Sequence, residues 1–376
     1  SSLGFNGAKF FGLLRSLVGI FLFGIQTYFL SKLVVYLIRI LLFSIDNTLL
    51  DQEIFLTFLL GLNLIDWFSI IVVIIFQTML FSIGIQYNKK LINYSAIIVY
   101  VGMVIFFLTV FLSDVKTTTQ AFSNILNFEN LLNKNNILPL LTVAGTIFAY
   151  FSIIIVSFGD FSRYVKNKED LNKGNLSLIL NLIIFSFFSI AIVVGSDVFL
   201  NQKFQDMDRI FTNPTDIIGK FNNLQITIVV LFFIIIASAS TNLVANYIPS
   251  QYSLINFLPN KLNLKSSSYT ISILGLIVGI FWLTVLSQIG VLSFIDTFSC
   301  FFGPLFGVII ADYYLIKNQT LSNKDLYSVE TQSIYYYSRG WHIKGTYSII
   351  LGFIFSASTI WNGNLMFLQS YAWIIG

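Results

Sequence analysis

The chain has 376 residues, of which 56% are hydrophobic and only 10% are charged, and its formal net charge is +4. Soluble domains carry about 25% charged residues, so this chain has to cover part of its apolar surface with lipid. One cysteine and one histidine exclude a disulfide framework, a zinc site of several Cys and His ligands and most nucleophilic or acid–base catalysis, so we do not expect an enzyme.

Apolar runs of about 20 residues, the length needed to cross a hydrocarbon core of about 30 Å, predict an all-α polytopic membrane protein with one transmembrane domain over residues 1–376. Two more apolar segments, 33–43 and 54–65, are short or carry the charges of Lys32 and Arg39, and we interpret them as helix extensions or interfacial pieces. The predicted spans lie near 11–31, 66–85, 91–113, 137–158, 175–199, 224–244, 268–287, 291–315 and 346–361, followed by a truncated one at 366–376.

The basic residues support this segmentation. If Lys9 and Arg15 are cytoplasmic, most of the 21 basic residues fall on the inner side, as the positive-inside rule requires. The others lie mainly in two long outer loops, where Lys203 and Arg209 are found. Because the basic residues form no stripe, nucleic acid is not an expected partner. We expect a monomeric, multi-pass protein of the cell membrane (plasma or inner membrane).

In the first span, Gln26 lies one helical turn after Leu22, on the same face. An amide inside hydrocarbon has to find a partner. Gln26 therefore either bridges two helices or faces a polar cavity, and its position alone leaves both interpretations open.

The fourth span carries Gly145 and the aromatic pair Tyr150 and Phe151. A glycine before aromatic residues is found in broken helices whose exposed backbone binds substrate, but it is more often a packing glycine beside core aromatics. The span ends on the basic side at Asp160 and Arg163, which are three residues apart and could form a salt bridge at the helix end.

In the sixth span, Ala237, Ser240 and Thr241 lie along one stripe, and Asn242 and Asn246 follow. Small residues at this spacing are usually packing contacts between helices. Hydroxyl and carbonyl oxygens are also the hard ligands that a small cation requires. The stripe alone favours packing and leaves a cation site as the alternative.

The eighth span is bracketed by Asp296 and Asp312. Neither aspartate lies in the middle of the membrane, and the sequence contains no GxGD motif, so an intramembrane aspartic protease is not expected. The single histidine, His342, lies in an inner loop without a catalytic partner nearby in the sequence.

Four stretches together resemble the nucleobase–cation symporter-1 family, the permeases for cytosine, purines, uracil, allantoin, hydantoins and thiamine. They occur in the family's order and at its spacing across nearly the whole chain. The stretches are FNGAKFFGLLRSLVGIFLFGIQTY (5–28), GDFSRYVKNKEDLNKGN (159–175), ASASTNLVANYIPS (237–250) and FGPLFGVIIADYYLIKN (302–318).

The resemblance implies a fold of the leucine-transporter type, in which two five-helix repeats of inverted topology surround a site at the middle of the membrane. The first predicted span then corresponds to the family's third helix. On this basis we expect that the first two helices are missing from the chain and that the last one is truncated.

The resemblance also implies site residues. Gln26 and Asn246 resemble the family's substrate-binding glutamine and asparagine. The positions of Ala237, Ser240 and Thr241 match those that give a carbonyl and two hydroxyls to sodium in sodium-coupled members.

Two positions depart from the family pattern. Leu22 and Phe151 stand where members often have the tryptophans that sandwich the substrate, with Tyr150 as a possible substitute. Stacking contributes about 0.5–1.5 kcal/mol per aromatic pair beyond burial, so the change is expected to alter substrate choice without abolishing binding. Asp160 and Arg163 resemble the inner end of the family's broken sixth helix, which implies a role in gating.

The resulting expectation is a secondary active transporter that imports a nucleobase or related small, planar nitrogen heterocycle by cation symport. It would work in the lipid bilayer, without a cofactor, and would couple transport to sodium or a proton. Sodium is favoured because hydroxyls bind it and the stripe contains no titratable group. The alternative is a membrane-embedded receptor or scaffold that binds such a ligand without transporting it.

Overall fold

A computed structural model describes residues 1–46, 48–83, 85–127, 129, 133–203, 214–220, 223–288 and 290–376. Arg209, which the charge distribution assigned to an outer loop, lies outside the described residues. Within them, nine helices are long and apolar enough to cross a membrane, and we number them α1 to α9. They are α1 (Phe5–Ile45), α2 (Leu64–Ser82), α3 (Ile85–Phe111), α4 (Lys134–Val156), α5 (Lys168–Lys203), α6 (Leu224–Phe257), α7 (Leu264–Trp282), α8 (Val291–Ile316) and α9 (Ile343–Trp361).

Shorter elements connect these helices. Segment 33–43 is a continuous extension of α1, and segment 54–65 ends in the capped start of α2. From Gly363 the chain forms a 3₁₀ helix and one short α-turn, where the sequence predicted the start of another span. The connecting helices are Leu49–Asp51, Glu53–Leu56, Val115–Ile125, Phe158–Ser162, Pro214–Ile218, Leu286–Gln288, Asn323–Leu326, Gly363–Tyr371 and Ala372–Ile375.

Asparagine defines the start of four membrane helices. The side chains of Asn63, Asn133, Asn223 and Asn263 each accept a hydrogen bond from a backbone N–H of the first turn of α2, α4, α6 and α7. In α2 the cap is reciprocal, because Asp66 accepts from the backbone N–H of Asn63 at 3.1 Å. These caps satisfy donors that the first turn of a helix leaves free.

Helix α1 is the central element. With 41 residues it is about 60 Å long, twice the thickness of a hydrocarbon core. It packs against α2, α6 and α7, while α3 packs against α6 and α5 packs against α3. Leu22 and Ile25 of α1 meet Ile153 of α4 and Phe302 and Leu305 of α8 in one apolar cluster, which joins α1 to the group formed by α4, α8 and α9.

The crossing of α1 and α7 is unusually close because glycines line it. A Cβ atom added to Gly24 would lie 2.6 Å from the carbonyl oxygen of Gly275, and one added to Gly275 would lie 2.5 Å from the ring of Phe23. Gly279, one turn further along α7, lies near the Gly24 carbonyl oxygen in the same way. Small residues four positions apart let two helix backbones approach inside a membrane.

Candidate functional site

Helix α6 changes its winding at Asn242–Tyr247, where six residues form a π-helical turn between the α-helical segments Leu224–Thr241 and Ile248–Phe257. Such turns are rare and are frequent at functional sites. Here the turn carries two buried asparagines, Asn242 at 0% and Asn246 at 6% exposure.

The structure brings the two predicted substrate-binding amides into direct contact. Asn246 Nδ2 donates to Gln26 Oε1 at 2.9 Å, so that α6 and α1 meet at this point. Gln26 Nε2 donates to the backbone carbonyl of Ser238 at 3.2 Å. Gln26 therefore bridges two helices, which is one of its two interpretations. Its partner is Asn246, the residue that a polar substrate site would also require.

The contact continues into a line of buried polar groups. Asn246 Nδ2 also donates to Asn242 Oδ1 at 3.0 Å, and Asn242 Nδ2 donates to the carbonyl of Phe23 and to Thr27 Oγ1, both at 3.2 Å. The Thr27 hydroxyl donates to Gln77 Oε1 of α2 at 2.9 Å. The sequence indicates Asn242 only as an amide beside the candidate cation stripe, and it does not indicate Thr27 or Gln77.

Arg15 precedes Gln26 on α1 and is only 3% exposed. Its Nε donates to Ser157 Oγ at 2.6 Å and its Nη2 to the carbonyl of Ala245 at 2.9 Å. The guanidinium thus joins α1, the π-helical turn and the end of α4. The charge pattern of the sequence uses Arg15 only as a basic residue of the inner side, although an arginine among apolar residues of a span is itself a signal of a functional position.

Of the two interpretations of Gly145, the structure agrees with the favoured one, a packing glycine, and not with a broken helix. The helix runs without interruption through Gly145, whose added Cβ would lie 2.5 Å from the Ser370 carbonyl oxygen, so Gly145 is a packing glycine. The helix ends at Val156, and the short helix Phe158–Ser162 follows after Ser157.

The proposed stacking residues occupy different environments. The rings of Tyr150 and Phe151 meet edge to face with centroids 5.6 Å apart. Tyr150 is partly exposed and lies within electrostatic reach of Arg15, and Phe151 is half-buried. Leu22 is buried in the apolar cluster between α1, α4 and α8, one turn from Gln26.

The predicted cation ligands lie immediately before the π-helical turn. Ser240 Oγ donates to the carbonyl of Ala237 at 3.1 Å, so two of the three predicted oxygen ligands are adjacent. Thr241 is exposed. The Ala237 side chain faces an apolar pocket of about 230 Å³ between α3, α5 and α6.

Asp160 and Arg163 do not form the predicted salt bridge. In the part of the chain that the structure describes, ion pairs join Lys32 to Asp66, Lys173 to Glu169 and Lys317 to Asp312.

Arg163 instead lies over the ring of Tyr252 of α6, 3.9 Å from its centroid. Tyr252 is in turn bonded to Tyr164 through their hydroxyls at 2.6 Å. Burial raises the pKa of the Asp160 carboxyl, and the charges of Arg163 and Arg15 partly offset that rise. In place of the predicted ion pair with Asp160, Arg163 thus makes a cation–π contact with Tyr252 of α6.

Comparisons with known proteins agree with this architecture. The family described as "Permease for cytosine/purines, uracil, thiamine, allantoin" matches residues 1–376. The chain is 25% identical over 357 residues to the purine-uracil permease NCS1 of Arabidopsis thaliana, covering 94% of the chain and 56% of that protein. It is 27% identical over 231 residues to the allantoin permease of Bacillus subtilis, covering 61% of the chain and 45% of that protein. The chain thus spans about half the length of these relatives.

Two solved structures share the fold. Mhp1, a nucleobase-cation-symport-1 family transporter, superposes in a closed conformation with bromovinylhydantoin bound at a TM-score of 0.67 and 20% identity, covering 100% of this chain and 75% of that one. Its inward-facing conformation gives a TM-score of 0.61 at the same identity, covering 100% and 74%. At this identity the likeness shows the fold, which is of the leucine-transporter type.

Proposed function

Because the chain belongs to the family of permeases for cytosine, purines, uracil, thiamine and allantoin, we propose that it is the core of a secondary active transporter that imports a nucleobase or related small nitrogen heterocycle together with a cation. The observation that carries this proposal is the contact between Gln26 and Asn246 beside the π-helical turn of α6. The same proposal takes the protein to be a monomer in the cell membrane.

The amide pair supports recognition of a planar ring that contains N–H and C=O groups. Between them the two carboxamides can present an acceptor oxygen and a donor N–H, which match the N–H and C=O of a cyclic amide. Tyr150 and Phe151 on α4 would supply the aromatic contact, and Leu22 would close the other side. With one aromatic side in place of two, we expect weaker stacking and a tolerance for rings that are not fully aromatic.

A cation at Ala237, Ser240 and Thr241 would couple its own gradient to the ligand. The adjacent oxygens of Ala237 and Ser240 and the absence of titratable groups on the stripe favour sodium. If sodium binds the outward-open state more tightly, it raises the population of the state that accepts the ligand, and by linkage each then favours the other.

Asp160 and Arg163 are proposed to act in gating. Arg163 links the short helix after α4 to Tyr252 at the inner part of α6. Opening the inner side would separate these two elements, so the stacked cation would have to leave the ring.

The proposed function is tested by uptake into vesicles that contain the purified protein. Cytosine, uracil, adenine, allantoin, hydantoin and thiamine are supplied singly, with an inward sodium or proton gradient. We expect at least one ring to accumulate above its external concentration, and collapse of the gradient to abolish accumulation. Saturable binding without accumulation would support the receptor alternative, and the absence of any binding would contradict both.

Sodium coupling is tested separately with Ser240→Ala and Thr241→Val. Each variant removes one hydroxyl ligand, so the sodium concentration for half-maximal uptake is expected to rise about tenfold, as for one lost bond to a charged group. Thr227→Val, nearer the start of α6, serves as the matched control with unchanged sodium dependence. Uptake that ignores sodium and follows pH would show that the sodium assignment is wrong.

A further inference from the structure

The polar groups behind Asn246 form a relay whose direction is decided by two backbone carbonyls. Carbonyl oxygens only accept hydrogen bonds. The NH₂ group of Asn242 has to face the Phe23 carbonyl, and the NH₂ group of Gln26 has to face the Ser238 carbonyl. Each of the two amides therefore turns its oxygen toward Asn246.

Asn246 can form hydrogen bonds to both oxygens only through its NH₂ group. Its two N–H groups go to Gln26 Oε1 at 2.9 Å and to Asn242 Oδ1 at 3.0 Å. Both donors of the amide are then used, and within the described residues no hydrogen bond engages Asn246 Oδ1. The free group that Asn246 offers is an acceptor.

Thr27 and Gln77 extend the relay away from the amide pair. The second N–H of Asn242 donates to the Thr27 hydroxyl at 3.2 Å, and that hydroxyl in turn donates to Gln77 Oε1. The three side chains are 0 to 1% exposed, so a lost partner would not be replaced by bulk water. Gln77 on α2 is the far end of the relay, and its Nε2 is buried with no partner among the described residues.

From this geometry we propose that Asn242, Thr27 and Gln77 are positioning residues that hold Asn246 as a hydrogen-bond acceptor, so that the site selects heterocycles that present a ring N–H to it. The inference rests on the proposed function. It adds that the edge of the ligand facing Asn246 carries a hydrogen-bond donor. A ring whose facing nitrogen is alkylated, or carries only a lone pair, lacks the donor that this side of the site requires.

The test compares parent rings with their N-methyl derivatives. Binding of uracil and hydantoin, and of each ring methylated at N1 or at N3, is measured by titration calorimetry on the purified protein. In the unmodified protein, methylation of one nitrogen is expected to weaken binding about tenfold or more, because a hydrogen bond is lost and an acceptor is left buried.

Thr27→Val keeps the shape of the side chain and removes the hydroxyl. The Asn242 NH₂ group then keeps only the Phe23 carbonyl as an acceptor, so the orientation of Asn242, and through it that of Asn246, is held less strongly. We expect parent binding to weaken several-fold and the preference for the unmethylated ring to shrink at least threefold. Thr27→Ser restores the hydroxyl and is expected to restore the preference.

A matched control is available one turn further along α1. Ser31 is also buried, but its hydroxyl donates to the carbonyl of Tyr28 within its own helix at 2.7 Å. Ser31→Ala removes a buried hydroxyl outside the relay and should leave the preference unchanged. If Thr27→Val does not fold, as judged by thermal melting, Asn242→Ala carries the same test with a larger expected loss of preference.

The outcomes separate the two proposals. If the unmodified protein binds none of the rings used in the uptake panel, the proposed function is wrong and this inference falls with it. If the rings bind and methylation weakens binding at neither N1 nor N3, only the inference is overturned. The same holds if Thr27→Val keeps the full preference of the unmodified protein for the unmethylated ring.

Discussion

Asn246→Ala is expected to reduce ligand affinity by about 100-fold and uptake to background. The substitution removes the hydrogen bond to the ligand, and it also deprives Gln26 Oε1 and Asn242 Oδ1 of their shared donor. The unpaired acceptors lower the stability of the fold, whereas affinity falls because a polar group of the bound ligand is left without its partner, which costs about 1–3 kcal/mol, and 1.4 kcal/mol corresponds to a factor of ten. Gln26→Ala keeps the Asn246 carboxamide and its bond to Asn242, so we expect a loss nearer tenfold.

The matched control lies on the same helix. Gln251 is buried and its amide donates to the Leu264 carbonyl at 3.0 Å and to Ser268 Oγ at 2.8 Å, away from the amide pair. Gln251→Ala should lower the melting temperature without changing the affinity of the remaining folded protein. Undiminished uptake in both Gln26→Ala and Asn246→Ala would remove the proposed site.

Gly24→Val is expected to destabilise the protein by about 2–3 kcal/mol or more. Even the first atom of the new side chain would lie 2.6 Å from the Gly275 carbonyl oxygen and 2.7 Å from Val278 Cβ. Backbone cannot yield as a flexible side chain does, so α1 and α7 would have to separate along their glycine contact. Thermal melting in detergent or lipid should show the loss directly.

Gly12 supplies the control for this prediction, because it lies in the same helix and an added Cβ would meet nothing within 4 Å. Gly12→Ala is expected to be neutral or to stabilise the helix by about 0.5–1 kcal/mol, since alanine restricts the unfolded chain. Equal melting temperatures for Gly24→Val and Gly12→Ala would contradict a tight crossing.

Much of the fold follows from the sequence because the bilayer imposes simple rules on composition and length. The apolar runs and the bias of basic residues identify the membrane helices, and the four resembling stretches indicate the family that the comparisons support. Segment 33–43 was ambiguous because the charges of Lys32 and Arg39 interrupt the apolar run. In the folded chain Lys32 is satisfied by Asp66 of α2, a partner that local sequence cannot reveal.

Part of the candidate site could also be predicted from the sequence. Gln26 and Asn246 stand out as amides within apolar spans, and the resemblance pairs them. Thr27 and Gln77 do not stand out, because their importance comes from a contact between α1 and α2 across fifty positions of sequence. The predicted Asp160–Arg163 ion pair is wrong for a related reason. A spacing of three residues permits an ion pair, but the guanidinium instead contacts the ring of Tyr252 on another helix.

The glycine crossing would act as a pivot if α1 moved relative to α7. Gln26 lies two residues beyond Gly24, about 3 Å along the helix axis, whereas Arg15 lies nine residues before it, about 13 Å away. If α1 rocks by ten degrees about that point, the amide moves by about 0.5 Å and the guanidinium by about 2 Å. The Gln26 carboxamide would then stay nearly in place while Arg15 moves away from Ser157 and Ala245.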